Sequence, residues 1–547
     1  MLARVAVQGT IAARVPERAR GVAAAALSGV LLAGSLPPQG VPELVFVAMV
    51  PLLLALRSRS DWRAGLRLGY LTGAVMMAVG YPWFIGLFQV FGDLPLAAAL
   101  AIFVVYCSWS AVPVAVYGAL MVALPRTRAW PWLAGVCFTG LWWSWPALLP
   151  FTVTMGLASR PAYIQGAELG GAALIELLVI GCSMCVVEAV VRRGRWRWRL
   201  LIAAIAIPGL MFALGTWRIA SLEGETTRTI RFGLVQPNIP LLWEDEGADQ
   251  QKLTRLREPS AQAQAGGAEI VVWPENMYPW PLDRPMLTDV DDEDRVLALH
   301  ALPTLFGAGS IADSEKYAHN TAFYMTADGT IRNSYDKVLL VPLGEHIPLV
   351  DPDWATAQMP GLAHNLAGVG PTRFIVEPGP VGSGTPVVSL GPLICYEDVF
   401  AEFATRVAGV VGGVEVFVNL SNDTWFGALS EAWEHQALAQ FRSVEHRIPM
   451  VRSVNSGPSA AIDRAGRIIA STPQRAADKH ALVPAELLLV DVPVGRDTES
   501  APTVFARFGW LLVYLCRALA LGLLLRLWWT RRRGPRRVLT RAEILGN

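Results

Sequence analysis

Seven apolar runs of bilayer-crossing length fill the first 217 residues: roughly 21–36, 43–57, 67–91, 95–124, 129–150, 163–191 and 199–217. An eighth follows at about 506–529. Such runs force the chain to be divided between two solvents. Composition agrees, with 53% hydrophobic and only 17% charged residues, the balance of a membrane protein. The acids are uneven too. Glu17, Glu43, Asp61, Asp93, Glu168, Glu176 and Glu188 are the ones within residues 1–217, and most of the others come later. The leader carries Arg4, Arg14, Arg18 and Arg20 and has no small-residue cleavage site after a short apolar core. It reads as a cytoplasmic lead-in to the first span, not a removable signal peptide.

The connecting loops alternate in charge. Residues 35–41 hold no base, whereas the next loop holds Arg57, Arg59 and Arg63. Residues 92–95 are bare again, Arg126 and Arg128 follow, the loop at 150–163 has Arg160, and 192–199 is strongly basic, as is the tail at 531–537. The positive-inside rule then puts both termini in the cytoplasm and residues 218–505 on the opposite, extracytoplasmic face. Arg517, inside the eighth run, must be buried against protein or snorkel to the surface. Glu168, Glu176 and Glu188 share the sixth run. Glu188 lies beside Arg192 at an interface, and Glu168 is placed to meet headgroups or a domain above. No repeated transporter half is visible, so the spans read as a scaffold. The division is a membrane domain over 1–217, a polar domain over 218–505, and a last span with a basic tail over 506–547.

The polar domain alternates strand and helix patterns. Strands are expected at 229–235, 269–273, 304–308 and 414–419, with hairpins at 320–335 (turning at Asp328-Gly329) and 460–471, and a helix at 429–446. This is an α/β domain large enough for its own core. The Pro/Gly-rich stretch 352–380 lacks periodicity and reads as a lid near a site.

Of the six cysteines, Cys395 alone lies in the polar domain; the others occupy apolar runs. It follows the apolar stretch 386–390 and precedes Glu397 and Asp398, so it sits where a buried strand opens into a turn. Most free cysteines are small buried hydrophobes, and partners upstream are what favour a nucleophile here. Trp273-Pro-Glu-Asn276 ends a strand with Glu275, Tyr335-Asp-Lys-Val338 presents Lys337, and Pro342-Leu-Gly-Glu-His346 offers Glu345. Each alone is an ordinary solvated residue. In the order Glu, Lys, Glu, Cys they fit nucleophilic acyl chemistry. A thiol needs a base such as Glu275; an oxyanion needs donors such as Lys337 and the backbone N–H of Tyr396; Glu345 holds and balances Lys337. The seven histidines (His300, His319, His346, His364, His435, His446, His480) show no metal-ligand spacing, which disfavours a metal centre or a Cys–His protease.

These stretches, with Ile394-Cys-Tyr-Glu397 and Asn419-Leu-Ser-Asn-Asp-Thr-Trp-Phe-Gly427, resemble the nitrilase (carbon–nitrogen hydrolase) superfamily. Seven spans before and one behind are similar to its membrane-bound apolipoprotein N-acyltransferase family, and the resemblance covers essentially the whole chain. It implies an αββα sandwich, a triad of Glu275, Lys337 and Cys395, supporting roles for Glu345, Tyr396 and Glu397, and a substrate-side place for Trp243. It also implies a two-step reaction, in which Cys395 takes an acyl chain from a membrane phospholipid as a thioester and passes it to the N-terminal amine of a diacylglyceryl-modified lipoprotein. No cofactor, metal or nucleic acid is implied, and the expected form is a monomer in the bacterial inner membrane. The alternative is a membrane-anchored nitrilase-type amidase or hydrolase.

Overall fold

The computed structural model describes residues 17–532 apart from 92–93, 126–128, 225–227, 241–246, 285–287, 290–293, 313–315, 343, 348–349, 352, 355–363, 427–429, 476–481 and 495–501. The N-terminal part is helical: α1 (Glu17–Ala33), α2 (Val45–Ala48), α3 (Val50–Arg57), α4 (Trp62–Gly80), α5 (Trp83–Phe91), α6 (Leu96–Ser110), α7 (Val112–Ala123), α8 (Trp130–Trp142), α9 (Ala167–Val191) and α10 (Arg195–Glu223). Among the described residues, 96–123, α9, α10 and 505–529 are long and apolar enough to cross a membrane. The apolar run at 67–91 is two helices, α4 and α5, bent by 60° at Tyr81-Pro82. The run at 129–150 is helical only to Trp142, after which Pro146 and Pro150 deny the backbone N–H groups a helix needs. The run at 163–191 becomes helical only from Ala167, after two 3₁₀ turns.

Gly65, Gly69 and Gly73 fall four apart on one face of α4. A Cβ at Gly65 would stand 2.4 Å from the Gly118 carbonyl, and one at Gly69 2.2 Å from that of Val114. The two helix backbones therefore touch, the close packing that small residues permit where lipid supplies no hydrophobic drive. Two acids in this region are paired with arginines. Glu188 is fully buried between Arg57 at 2.6 Å and Arg192 at 2.5 Å. Glu168 bridges Arg218 at 3.1 Å and, from the polar domain, Arg447 at 2.6 Å, so of its two expected settings it meets the domain.

The polar domain contains β1 (Arg228–Gln236), α11 (Ala248–Ala265), β2 (Ile270–Val272), β3 (Leu282–Arg284), β4 (Thr304–Ala312), β5 (His319–Met325), β6 (Ile331–Asp336), β7 (Phe374–Val376), β8 (Val388–Ile394), α12 (Ala401–Ala408), β9 (Val416–Asn422), α13 (Glu431–His446), β10 (Met450–Asn455), β11 (Ala460–Ile462), β12 (Ile468–Ser471) and β13 (Glu486–Val494). One sheet runs β13-β1-β2-β4-β5-β6, with β3 beside β4; the other runs β12-β11-β10-β9-β8-β7. The sheets face each other, and Ser453 on β10 donates across the gap to the carbonyls of Val235 and Val272, both at 2.9 Å. Helix α11 covers the first sheet and α12 the second, and α13 reaches the second sheet where His446 meets the Phe417 ring of β9. The result is the expected α/β, αββα sandwich. Its α13 layer rests on the apolar helices: Gln440 donates to the Ala158 carbonyl at 2.9 Å, and Glu445 accepts from the Ala172 N–H at 3.3 Å. A last apolar helix, α14 (Trp510–Arg532), returns alongside α8.

Candidate active site

Four chain segments deliver the candidate side chains to one buried place between the sheets. Strand β2 ends at Val272, and the following Trp273-Pro-Glu-Asn276 turn presents Glu275. That turn lies directly on β4: a Cβ at Gly307 would meet the Asn276 nitrogen at 2.4 Å and the Pro274 oxygen at 2.6 Å, so only glycine allows the approach. The β5–β6 hairpin delivers Lys337 just beyond Asp336, with the Lys337 N–H donating to the Asn320 carbonyl at 2.9 Å. Strand β8 ends at Ile394 and hands the chain to Cys395, which opens a single 3₁₀ turn, Cys395–Val399. Cys395 has φ of +47°, a left-handed conformation that costs a side-chain-bearing residue energy and concentrates at functional sites.

The ammonium of Lys337 is 1% exposed. It donates to Glu275 Oε1 at 2.8 Å and contacts Glu345 Oε2 at 2.9 Å. Asn320 spans the same two carboxylates, donating to Glu275 Oε1 at 2.8 Å and Glu345 Oε1 at 2.9 Å. The two acids nonetheless differ. Burial pushes the Glu275 carboxyl up, and the Lys337 charge offsets this only in part. Burial acts on Glu345 as well, but Lys337 and the Val341 N–H, at 2.9 Å, outweigh it and hold that carboxyl down. Lys337 is held well above its usual range: burial opposes its charge, and the two carboxylates win. Paired titratable groups pushed apart in this way divide into a fixed counter-ion and a proton carrier. Burial, then Glu275, raise the Cys395 thiol well above its ordinary value, while Lys337 and a hydrogen bond with Ser421 pull it down. The resting sulfur is a neutral thiol.

Glu397 is fully buried and ties the thiol's turn to the lysine's loop. Its Oε1 accepts from the Tyr335 hydroxyl and the Val338 N–H, both at 2.7 Å, and its Oε2 from the Ile394 N–H at 2.8 Å. Burial lifts its carboxyl to about 7 against the pull of these donors. The Tyr396 hydroxyl donates to the Leu148 carbonyl, reaching the apolar helical region. The described part of the 352–380 stretch is tied to the site's loops through backbone hydrogen bonds, Gly368 N–H to Lys337 O at 2.8 Å and Asn365 N–H to Glu345 O at 2.9 Å. Trp243 lies outside the described residues.

The sequence singled out the stretch 419–427 but assigned its residues no role behind the thiol, and it did not connect them to Asp398, His435 or Arg452. Asn419 donates to the Cys395 carbonyl at 3.1 Å. Ser421 donates to Asp423 at 2.8 Å. His435 reaches Asp398 at 2.6 Å and Asp423 at 3.5 Å, and fully buried Arg452 pairs with Asp398. Burial and Arg452 lower the His435 imidazole, but Asp398 and Asp423 prevail and lift it to about 10. Asp423, Glu431 and His435 have the proximity of a metal site, yet Arg452 and His435 already pair with Asp398 and Asp423, and burial pushes the Glu431 carboxyl up. Asn320 had one usable signal, its place opposite Lys337 once the Asp328-Gly329 turn sets the hairpin register. The Asp398–His435–Arg452 link joins three separate elements and leaves no periodic trace.

Comparison with known proteins finds two family matches on separate stretches of the chain. Residues 28–185 match the family model described as the apolipoprotein N-acyltransferase N-terminal domain, and residues 231–495 match that of carbon-nitrogen hydrolase. An apolipoprotein N-acyltransferase from Gloeobacter violaceus is 31% identical over 472 residues, covering 82% of this chain and 85% of the relative. One from Geobacter metallireducens is 29% identical over 82% of this chain and 86% of its own. One from Vibrio vulnificus is 26% identical over 93% and 97%. A solved amidase from Nesterenkonia sp. aligns at 18% identity over 49% of this chain and 91% of its own, with a TM-score of 0.34, too low to add weight. Two family models in order along one chain, and relatives aligned over most of their length, establish that this chain belongs to the apolipoprotein N-acyltransferase family of enzymes, its nitrilase-like domain carried on apolar helices.

Proposed function

We propose that Cys395 takes an acyl chain from a membrane phospholipid as a thioester and delivers it to the α-amine of the N-terminal S-diacylglyceryl cysteine of an apolipoprotein. The observation that carries this reading is the pair of unlike carboxylates on one buried lysine. Glu275, its carboxyl raised, is suited to move a proton; Glu345, its carboxyl depressed, is suited to hold Lys337 charged.

In the first half, Glu275 takes the thiol proton as sulfur attacks the ester carbonyl. The tetrahedral oxyanion is stabilised by Lys337 and the Tyr396 N–H. The C–O bond then breaks, and Glu275 returns the proton to the departing lysophospholipid alkoxide. In the second half the free amine attacks the thioester, Glu275 accepts a proton from nitrogen, and the C–S bond breaks as sulfur regains a proton. Trp243 is assigned a part in binding substrate on the strength of the family resemblance alone. Burial of the site limits water, which would otherwise consume the thioester.

The same reading sets residues 218–505 as a catalytic domain on the extracytoplasmic face of the bacterial inner membrane. The membrane domain is 1–217, and 506–547 form the last span and cytoplasmic tail, with both termini inside. The enzyme works as a monomer without metal or cofactor. Discharge of the acylated enzyme tests the reaction. A peptide with a free diacylglyceryl-cysteine amine is expected to empty the adduct into a tri-acylated product, while its N-acetylated twin leaves the adduct standing. Release of free fatty acid at equal rates with and without the amine would instead make the enzyme a hydrolase.

A further inference from the structure

Arg517 is a charge inside an apolar helix, and the reaction just described gives it no work. Among the described residues it has no carboxylate partner. One guanidinium nitrogen donates to the Trp143 carbonyl, and its carbon sits 5.3 Å from the Tyr514 ring centroid. Its Nε is buried with no hydrogen-bond partner. A charged group held this way inside a span marks a site and not a scaffold.

That guanidinium lines a cavity of about 250 Å³ between the apolar helices and the nitrilase-like domain, together with Tyr106, Trp142, Trp143, Phe151 and Phe400. The far wall is Val399–Glu402, the segment that directly continues the Cys395–Val399 turn. The rim at 147–151 touches the same turn through the Tyr396–Leu148 hydrogen bond. The cavity is thus walled by the end of the turn that Cys395 opens. Its depth suits a lipid headgroup. Trp510 and Tyr514 are exposed on α14, as aromatic residues are at a membrane interface. The Arg517 backbone lies seven residues below Trp510, about 10 Å along the helix. Helical side chains lean toward the N-terminus, so the guanidinium returns to the level of the Tyr514 ring. Glu402, the other charged group lining the cavity, is exposed to solvent. The part-buried charge that lines the cavity is therefore positive, and its planar fork suits a phosphate.

We propose that Arg517 recognises the phosphate of the acyl-donor phospholipid, holding the headgroup in this cavity while an acyl ester reaches Cys395. The proposal rests on the donor assignment above and extends it to a residue that sets donor specificity. A neutral diacylglycerol has the same ester and the same alkoxide leaving group but lacks the phosphate, so it is the matched control.

The test uses the full chain in detergent micelles and a phospholipid carrying a photoreactive acyl chain. The fraction of protein labelled on the cavity walls at 142–151 and 399–402 is read by peptide mass spectrometry. The measurement is made on Cys395→Ala protein as well, so its outcome stands apart from whether Cys395 forms a thioester. Arg517→Met is expected to lower labelling by the phospholipid about tenfold, the loss that goes with one charged hydrogen bond. Arg517→Lys retains it within about threefold because the charge remains, and labelling by the matched diacylglycerol is weak in every protein. In acyl loading of Cys395 the defect of Arg517→Met lies in KM for phospholipid and not in kcat. Equal phospholipid labelling of wild type and Arg517→Met would overturn the proposal. So would Lys behaving no better than Met, or equal labelling by diacylglycerol. Displacement of the lipid by equimolar inorganic phosphate would instead make the site one for free anions, and the lipid assignment would fail.

Discussion

Glu397 Oε1 lies 2.7 Å from the Val338 N–H, so a carboxylate two residues past the candidate nucleophile grips the loop directly after the candidate oxyanion lysine. Every hydrogen bond that Glu397 makes here is an accepted one. A neutral amide in its place would turn two hydrogens toward N–H or O–H donors. Glu397→Gln is therefore expected to lower kcat by roughly 10²-fold, the scale on which small misplacements act, while protein is still recovered from the membrane. Steady-state acyl transfer measures this, and a near-wild-type kcat would remove Glu397 from positioning.

Lys337→Ala removes the cation from between Glu275 and Glu345 and is expected to cost roughly 10²-fold or more in rate, as loss of an oxyanion donor does. Glu345→Gln leaves Lys337 with Glu275 as its one carboxylate partner and lets it pair too strongly with the base. Acyl transfer is expected to fail in that variant too, with folding retained. Near-normal transfer by either variant would exclude that residue from the chemistry.

How much of this was legible in the sequence depends on how local each feature is. Glu275, Lys337 and Cys395 each stand at the end of a strand or hairpin, so a pattern of apolar runs and turns was enough to find them, and Glu345 follows Lys337 in the next turn. Strand β1 and helix α13 announced themselves by the same periodicity. Strand β7, three residues inside a Pro/Gly-rich stretch, was too short to show a pattern. The 60° bend at Tyr81-Pro82 was hidden because α4 and α5 are both apolar, and hydropathy does not register direction. Asn320 depends on hairpin register, and the Asp398–His435–Arg452 link on a turn, a helix and a strand meeting in space, neither of which single-chain periodicity encodes.

His435 supplies a pH test. Its imidazole, lifted to about 10 by Asp398 and Asp423 against burial and Arg452, lies above the ordinary unfolded value near 6.5. A raised folded value means the stabilisation is complete below about 6.5 and is lost as pH rises through about 10. His435→Gln should therefore be less stable than wild type at pH 6, with the gap narrowing toward pH 10. Thermal melts of the detergent-solubilised chain across that window measure it. A gap independent of pH would contradict the charged, paired histidine.

Glu168, also paired with Arg218 on α10, fastens the nitrilase-like domain to the helices through Arg447. Arg447 is 2% exposed, so Glu168→Ala strands a buried cation and is expected to cost about 3 kcal/mol. Adding Arg447→Met should restore much of that loss. Melting temperatures of the single and double variants decide it, and additive losses would contradict the coupling.

The central claim is that Cys395 carries the acyl chain. Purified full-length enzyme, given phospholipid and no acceptor, is expected to gain one acyl group by intact mass. Neutral hydroxylamine should release it as a thioester, and Cys395→Ala should never acquire it. An acyl group found on another residue, or acyl transfer surviving in Cys395→Ala, would contradict the account.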